Sequence, residues 1–190
     1  MSYTEIYKFG KDGNAENLGE VRNAFRGAMA VWMEMEKRYL SPYPKPMWMD
    51  DADYKERGYS RTSASMGLPM GGKSPMQEIW DLGDIERVSK QEKIVMLSTL
   101  DNVIVMRENI EELREAFESF DGETSLKEQA EIIKEALTDE DVIAVAWNQT
   151  SVNADVWTYY DEDEEYSQYN ILTGEKHWKL FDDFKEEKLT

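Results

Sequence analysis

Polar and apolar residues alternate over residues 3–9, and this pattern predicts a β-strand. The next residues, Lys11 to Asn14, favour a turn, so the chain is predicted to open with a β-hairpin. Apolar residues then recur at helical spacing from Phe25 to Tyr39. This spacing predicts a helix over about 22–40, which ends at the prolines that follow.

Three serines carry the signature of a helix N-terminus. Ser74 is followed three residues later by Gln, and Ser89 and Ser125 are followed at the same spacing by Glu, as in a capping box. Pro75 at the first helical position strengthens the first of these signals. The helices that they open are predicted to span about 75–82, 90–100 and 125–137.

The remaining periodicity fills the second half of the chain. Continuous apolar runs predict buried strands, whereas apolar residues three or four apart predict amphipathic helices. In chain order, these patterns predict a strand over 102–106, a helix over 108–120, strands over 141–147 and 155–160, and a terminal helix over about 176–187.

These elements predict an α+β fold: a small, mainly antiparallel sheet packed with about five or six helices. No internal repeat and no linker divides the sequence, so residues 1–190 are expected to form a single domain. Prolines, glycines and methionines without a helical or strand period fill residues 41–74. This segment is predicted to be a long irregular stretch, which in a compact domain is usually functional or mobile.

Composition narrows the possible chemistry. The chain has 41% hydrophobic residues, enough for a buried core, but no cysteine and a single histidine, His177. Disulfides, thiolate catalysis and zinc sites of the usual Cys/His type are therefore excluded, and no cofactor or metal is expected. The first residues lack the apolar core of a signal peptide, so a cytoplasmic location is expected.

The charge is distributed unevenly. Residues 1–100 contain 14 Lys/Arg and 15 Asp/Glu, whereas residues 101–190 contain 8 and 25. A field of one sign repels nucleic acid and anionic membranes and attracts basic surfaces. The second half is therefore predicted to bind a basic protein rather than nucleic acid or a membrane.

Two sets of residues are predicted to contact such a partner. The first lies opposite the apolar stripe of the 108–120 helix and consists of Glu108, Glu111, Glu112, Glu115 and Glu118. The second is an acidic loop flanked by tyrosines and consists of Tyr160, Asp161, Glu162, Asp163, Glu164, Glu165 and Tyr166. Carboxylates four residues apart on a helix lie about 5–6 Å apart, close to the phosphate spacing of a nucleic-acid strand. Glu128, Glu131 and Glu135 extend the same pattern onto the next helix.

Residues 67–74 keep an alternative open, because they match the phosphate-binding pattern G-x4-G-K-[ST] in every letter. That loop needs a hydrophobic parallel strand before it, yet residues 59–66 are polar. A nucleotide-binding or hydrolytic enzyme is therefore the alternative to a binding protein. The acidic loop does not match a calcium-binding EF-hand, since Tyr166 and Leu172 stand where Gly and Glu are required.

Several stretches resemble small acidic proteins encoded by phages and mobile elements of Firmicutes. The resemblance covers most of the chain and is carried by residues 78–82, 92–102, 124–131, 146–155 and 169–174. It implies a setting in which single-domain inhibitors of host defence nucleases are common, including anti-restriction and anti-CRISPR proteins, and it carries over no catalytic residue. The leading hypothesis is thus a non-enzymatic nucleic-acid mimic that inhibits a nucleic-acid-handling host protein, such as a defence nuclease, in the host cytoplasm. An accessory phage protein whose acidity only aids solubility is a further alternative.

Overall fold

Five strands form the main sheet of the computed structural model. The described residues are 3–22, 28–64, 74–99, 103–150, 157–160, 166–174 and 178–182. The strands are β1 (Tyr3–Gly10), β2 (Ala15–Arg22), β3 (Val103–Met106), β4 (Val142–Gln149) and a final strand, Trp178–Lys179. Their spatial order is β2, β1, β4, β3 and then the final strand. The first four are antiparallel neighbours, and the final strand runs parallel to β3. The antiparallel hairpin predicted at the start of the chain is confirmed.

Two further strands pair away from this sheet. They are β5 (Thr158–Tyr160) and β6 (Tyr166–Gln168), which form an antiparallel two-stranded hairpin. The final strand is accordingly β7. In the described part of the chain, the α-helices are α1 (Ala28–Tyr39), α2 (Asp51–Arg57), α3 (Arg61–Ala64), α4 (Pro75–Trp80), α5 (Lys90–Leu97), α6 (Ile110–Ser119) and α7 (Leu126–Thr138). The molecule is a single α+β domain, as predicted.

The sheet has a core on each face because its strands alternate. Val145 and Trp147 of β4 point into the larger core, which also contains the apolar faces of α1, α5, α6 and α7. Ala144 and Ala146 point to the other face, beneath a smaller aromatic cluster. In that cluster the buried Trp157 lies edge-on to Phe9, with ring centroids 5.3 Å apart, and 5.5 Å from Tyr169.

The segment after α1 contains short helices and is tied to the core by a buried ion pair. The guanidinium of Arg61 at the start of α3 donates to Glu36 of α1 at 2.9 Å and to Glu78 of α4 at 2.8 Å. Arg61 and Glu36 are 6% and 7% exposed, so both charges lie inside the protein. The described part of the predicted irregular segment, residues 41–64, is therefore fixed to two helices.

The prediction of a helix over 176–187 is wrong where the structure describes it. Trp178 and Lys179 form β7 beside β3, and Leu180–Asp182 form a single 3-10 turn that buries Leu180 and Phe181. The adjacent residues Leu180 and Phe181 are both buried, as expected for a turn that packs on the core at the edge of the sheet. Residues 175–177, which include His177, and residues 183–190 lie outside the described residues.

Of the three predicted capping boxes, one is complete, one lacks the return bond because the side chain of Gln77 donates to Asp81, and one is absent. The box between Ser89 and Glu92 is present in both directions, and Ser74 caps α4 through the amide of Gln77. Ser125 makes no capping bond. Its buried hydroxyl instead accepts a hydrogen bond from the side-chain amide of Gln129 at 3.0 Å. The side-chain oxygen of Gln129 in turn accepts a hydrogen bond from the indole N–H of the buried Trp147.

Candidate protein-binding surface

The predicted contact residues on α6 lie at the surface because the helix is strongly amphipathic. Ile110, Leu113, Ala116 and Phe117 are buried in the larger core. On the opposite side, the carboxylate side chains of Glu111 and Glu118 are 54% and 43% exposed, and that of Glu112 is 40% exposed. Glu108, in the 3-10 turn before α6, and Glu115 are exposed as well.

The same face contains its own cations, which the sequence prediction did not consider. Arg114 donates to Glu111 at 2.5 Å and also to Glu118, and Lys90 at the start of α5 pairs with Glu112 at 2.5 Å. Three of the five predicted carboxylates are therefore paired. Within the described ranges, Glu108 and Glu115 have no cationic partner.

These pairs favour the charged forms of the side chains that make them. The hydrogen bonds from Arg114 lower the pKa of Glu111, and those to Glu111 and Glu118 raise the pKa of Arg114. Glu111 therefore stays ionised under mildly acidic conditions. The paired side chains lie together on the exposed side of α6.

The exposed carboxylates of α7 continue this surface. Glu128, Glu131 and Glu135 are exposed, and Glu131 lies 3.8 Å from Lys134. Helices α6 and α7 pack against each other, and the charge of Lys134 also lowers the pKa of Glu111. We call the combined surface the acidic face, made of Glu108, Glu111, Glu112, Glu115, Glu118, Glu128, Glu131 and Glu135.

The second predicted contact set is less well defined. Tyr160 and Tyr166 form the last pair of the β5–β6 hairpin, and the five acidic residues between them, Asp161, Glu162, Asp163, Glu164 and Glu165, lie outside the described residues. The hairpin starts from Trp157, which packs on the sheet face opposite α6 and α7. The base of the hairpin and the acidic face therefore belong to different faces of the sheet.

The phosphate-binding match does not have the expected surroundings. Residues 67–73 lie outside the described residues, and the last described element before them is the helix α3 rather than a strand. The hydroxyl of Ser74 accepts the amide of Gln77 at 3.1 Å and so caps α4, which has only six residues. The Ser at the end of the match is thus used as a helix cap.

A cleft of about 900 Å³ opens beside the turn of the first hairpin. Five of its charged side chains pair with one another, since Lys8 lies 3.2 Å from Glu16 and 3.5 Å from Asp139, and Lys11 lies 2.5 Å from Asp141. Asp12 instead accepts hydrogen bonds from Asn14. The described residues contain no group of three or more acidic or histidine side chains placed to hold a metal ion.

An exposed apolar turn was missed by sequence reasoning. Met47 is fully exposed and Trp48 is 72% exposed, although both stand in a segment tied to the core by Arg61. The available signal was the run of three large apolar residues, Met47, Trp48 and Met49, between Pro46 and the helix-capping Asp50. Without a helical or strand period, that signal could not separate core from surface.

The chain matches no protein-family model, no curated protein and no solved structure. Among the helices that the structure describes, none is long and apolar enough to cross a membrane. The likeness to phage-encoded acidic proteins stays a prediction. Function has to be inferred from the chemistry of the surface.

Proposed function

We propose that the protein is a non-enzymatic inhibitor that binds a basic, nucleic-acid-handling protein through the acidic face. The observation that carries the proposal is the set of exposed carboxylates along α6 and α7, with Glu108 and Glu115 unpaired by any described cation. Carboxylates fixed on helices can replace the phosphates that a basic groove normally binds. Occupation of that groove would exclude the nucleic acid.

The internal ion pairs refine which residues matter. Glu111, Glu112 and Glu118 already form ion pairs with cations of this protein. An arginine of the partner would therefore gain less binding energy from them than from an unpaired carboxylate. No described cation offsets Glu108 or Glu115, of which Glu108 lies in the 3-10 turn that leads into α6 and Glu115 lies within α6. These two residues are therefore the main electrostatic contacts of the proposed interface.

A charge-reversal comparison tests the proposal. The variant Glu108→Lys/Glu115→Lys changes the acidic face, and Asp84→Lys/Glu86→Lys makes the same change in net charge at exposed residues outside α6 and α7. Host-cell extract is passed over each immobilised protein at low and high salt, and captured proteins are quantified by mass spectrometry. A nucleic-acid-binding protein should be retained by the wild type and the control, lost by the acidic-face variant, and released by added DNA or RNA.

Two outcomes count against the proposal. Equal capture of the same basic proteins by all three immobilised chains would show that the acidic face has no specific role. A captured partner that binds its nucleic acid equally well in the presence and absence of this protein would exclude inhibition by mimicry.

A further inference from the structure

A tight turn presents two large apolar side chains to solvent. The amide of Met49 donates to the carbonyl of Pro46 at 3.1 Å, which makes Met47 and Trp48 the central residues of a β-turn. Lys45 donates to the carbonyl of Met49 at 2.8 Å and fixes the turn further. Met47 is 100% exposed and Trp48 is 72% exposed. Burial in the fold therefore does not account for either side chain.

Aromatic rings connect the turn to the core. Trp48 lies nearly perpendicular to Tyr59, with ring centroids 5.6 Å apart, and Tyr59 lies 6.0 Å from Tyr43. The guanidinium of the buried Arg61 lies 5.2 Å from the ring of Tyr43. We call Trp48, Tyr59 and Tyr43 the aromatic ladder. A side chain held in place before binding loses less conformational entropy when a partner covers it.

The charges beside the turn indicate what it would bind. Residues 45–53, which cover the turn and the first turn of α2, contain three aspartates, Asp50, Asp51 and Asp53, but only one lysine. That lysine, Lys45, is already paired with Asp51 at 3.0 Å. The basic residues Lys55 and Arg57 lie in the last turn of α2. An exposed tryptophan attracts a cation to the face of its ring, and arginine adds planar stacking to that attraction. Nearby carboxylates favour the same cation and disfavour a phosphate group.

We infer that Met47 and Trp48 form a second docking point, at which an arginine of the partner protein stacks on Trp48 beside the carboxylates of α2 while apolar partner side chains cover Met47. This inference rests on the proposed function, since it assigns the same basic partner a second contact. Buried aromatic anchors of this kind carry a large share of binding energy in protein interfaces. Unlike the contacts of the acidic face, the apolar contacts of Met47 and Trp48 are not screened by salt.

The probe is a short synthetic peptide that alternates arginines with leucines, beside a matched peptide with neutral citrulline in place of arginine. Met47→Ser/Trp48→Ser removes the turn's apolar surface. Leu172→Ser is the matched control, since Leu172 is another large apolar residue that is 63% exposed. Binding is measured by calorimetry at about 1 M NaCl, where the screening length is about 3 Å. Unfolding midpoints verify that each variant is folded.

The arginine peptide should bind the wild type and the Leu172→Ser variant equally, and the turn variant about 10- to 30-fold more weakly. The citrulline peptide, which keeps the leucines but lacks the cation, should bind the wild type more weakly than the arginine peptide does. Peptide binding should also protect Met47 and Trp48 from oxidation by hydroxyl radicals. The Glu108→Lys/Glu115→Lys variant should keep the high-salt binding.

Several results would overturn the inference. The inference fails if the arginine peptide does not bind the wild type, or binds the turn variant as tightly as the wild type. It also fails if single-stranded DNA rather than the peptide protects Met47 from oxidation, or if ultracentrifugation shows a dimer that the turn variant abolishes. If the turn variant binds normally while the acidic-face variant still fails to retain the captured host protein, only the second docking point is wrong. If neither variant affects that capture, the proposed function fails as well.

Discussion

At the scale of single residues, the buried pair between Glu36 and Arg61 decides how the segment after α1 is held. The carboxylate of Glu36 accepts hydrogen bonds from both the backbone amide and the guanidinium of Arg61. Removing the guanidinium leaves a buried charge that the amide alone cannot satisfy. Arg61→Met should therefore lower the free energy of unfolding by about 3–5 kcal/mol in urea titrations.

Two comparisons check this expectation. The double variant Glu36→Leu/Arg61→Met should regain most of the loss, because replacing both charges leaves no unpaired one. Lys37→Ala, which removes a pair with Glu34 at the surface, should change stability by no more than about 0.5–1 kcal/mol. A loss below about 1 kcal/mol for Arg61→Met would mean that Glu36 is not isolated from water.

Glu92 makes stability depend on pH at the same scale. Burial raises the pKa of this carboxyl, but hydrogen bonds from Tyr39, Ser89 and Arg38 outweigh burial and lower the pKa below its ordinary value of 4.5. A lowered pKa in the folded state contributes stability above the unfolded value and loses it as pH falls through the folded value. Glu92→Gln should thus be less stable than the wild type at pH 7, by about 1.5–3 kcal/mol.

That difference should shrink as the pH falls below about 4.5, because the wild type then loses the charge that the variant already lacks. Chemical unfolding from pH 7 to pH 3 measures it. A constant difference across this range would show that the ionised carboxylate contributes nothing and that Glu92 acts only through its shape.

At the scale of elements, two serines with the same sequence signature have different roles. Ser89 caps α5, so Ser89→Ala should cost about 1 kcal/mol and Ser89→Asn, which can still cap, should cost little. Ser125 is fully buried and bonded to Gln129. Ser125→Asn should therefore destabilise the protein as Ser125→Ala does, by about 1–3 kcal/mol, and should alter Trp147 fluorescence. A stable Ser125→Asn variant would restore the capping interpretation.

The difference between these serines shows what local sequence can predict. A capping box involves residues three apart, an amphipathic helix such as α6 reveals its buried face through its own period, and a continuous apolar run such as that of β4 reveals a buried strand. The role of Ser125 depends on Trp147 in a distant strand, and that of Arg61 depends on Glu36 of another helix. Contacts between distant segments leave no period in the sequence.

At the scale of the whole molecule, the sequence pattern predicted the fold class and the exposure of the acidic face, but not its cations. Lys90 reaches Glu112 from another helix, and this pair is invisible in a count of charges along α6. The exposure of Met47 and Trp48 was also missed. Apolar residues in a segment without a period are usually assigned to the core. Surface composition therefore depends on packing that the chain's local patterns do not encode.

The net charge of −18 should make the molecule more stable in salt. Screening weakens repulsion among exposed carboxylates more than it weakens short, partly buried pairs, so the thermal midpoint should rise between about 20 mM and 500 mM NaCl. Arg114→Gln provides a local sensor, because it removes the cation that separates Glu111 from Glu118. The variant should lose about 0.5–1 kcal/mol at low salt and approach the wild type at high salt. A thermal midpoint of the wild type that falls with salt would mean that attractive pairs outweigh repulsion. A difference in stability between the wild type and Arg114→Gln that does not change with salt would mean that Arg114 acts through packing rather than charge.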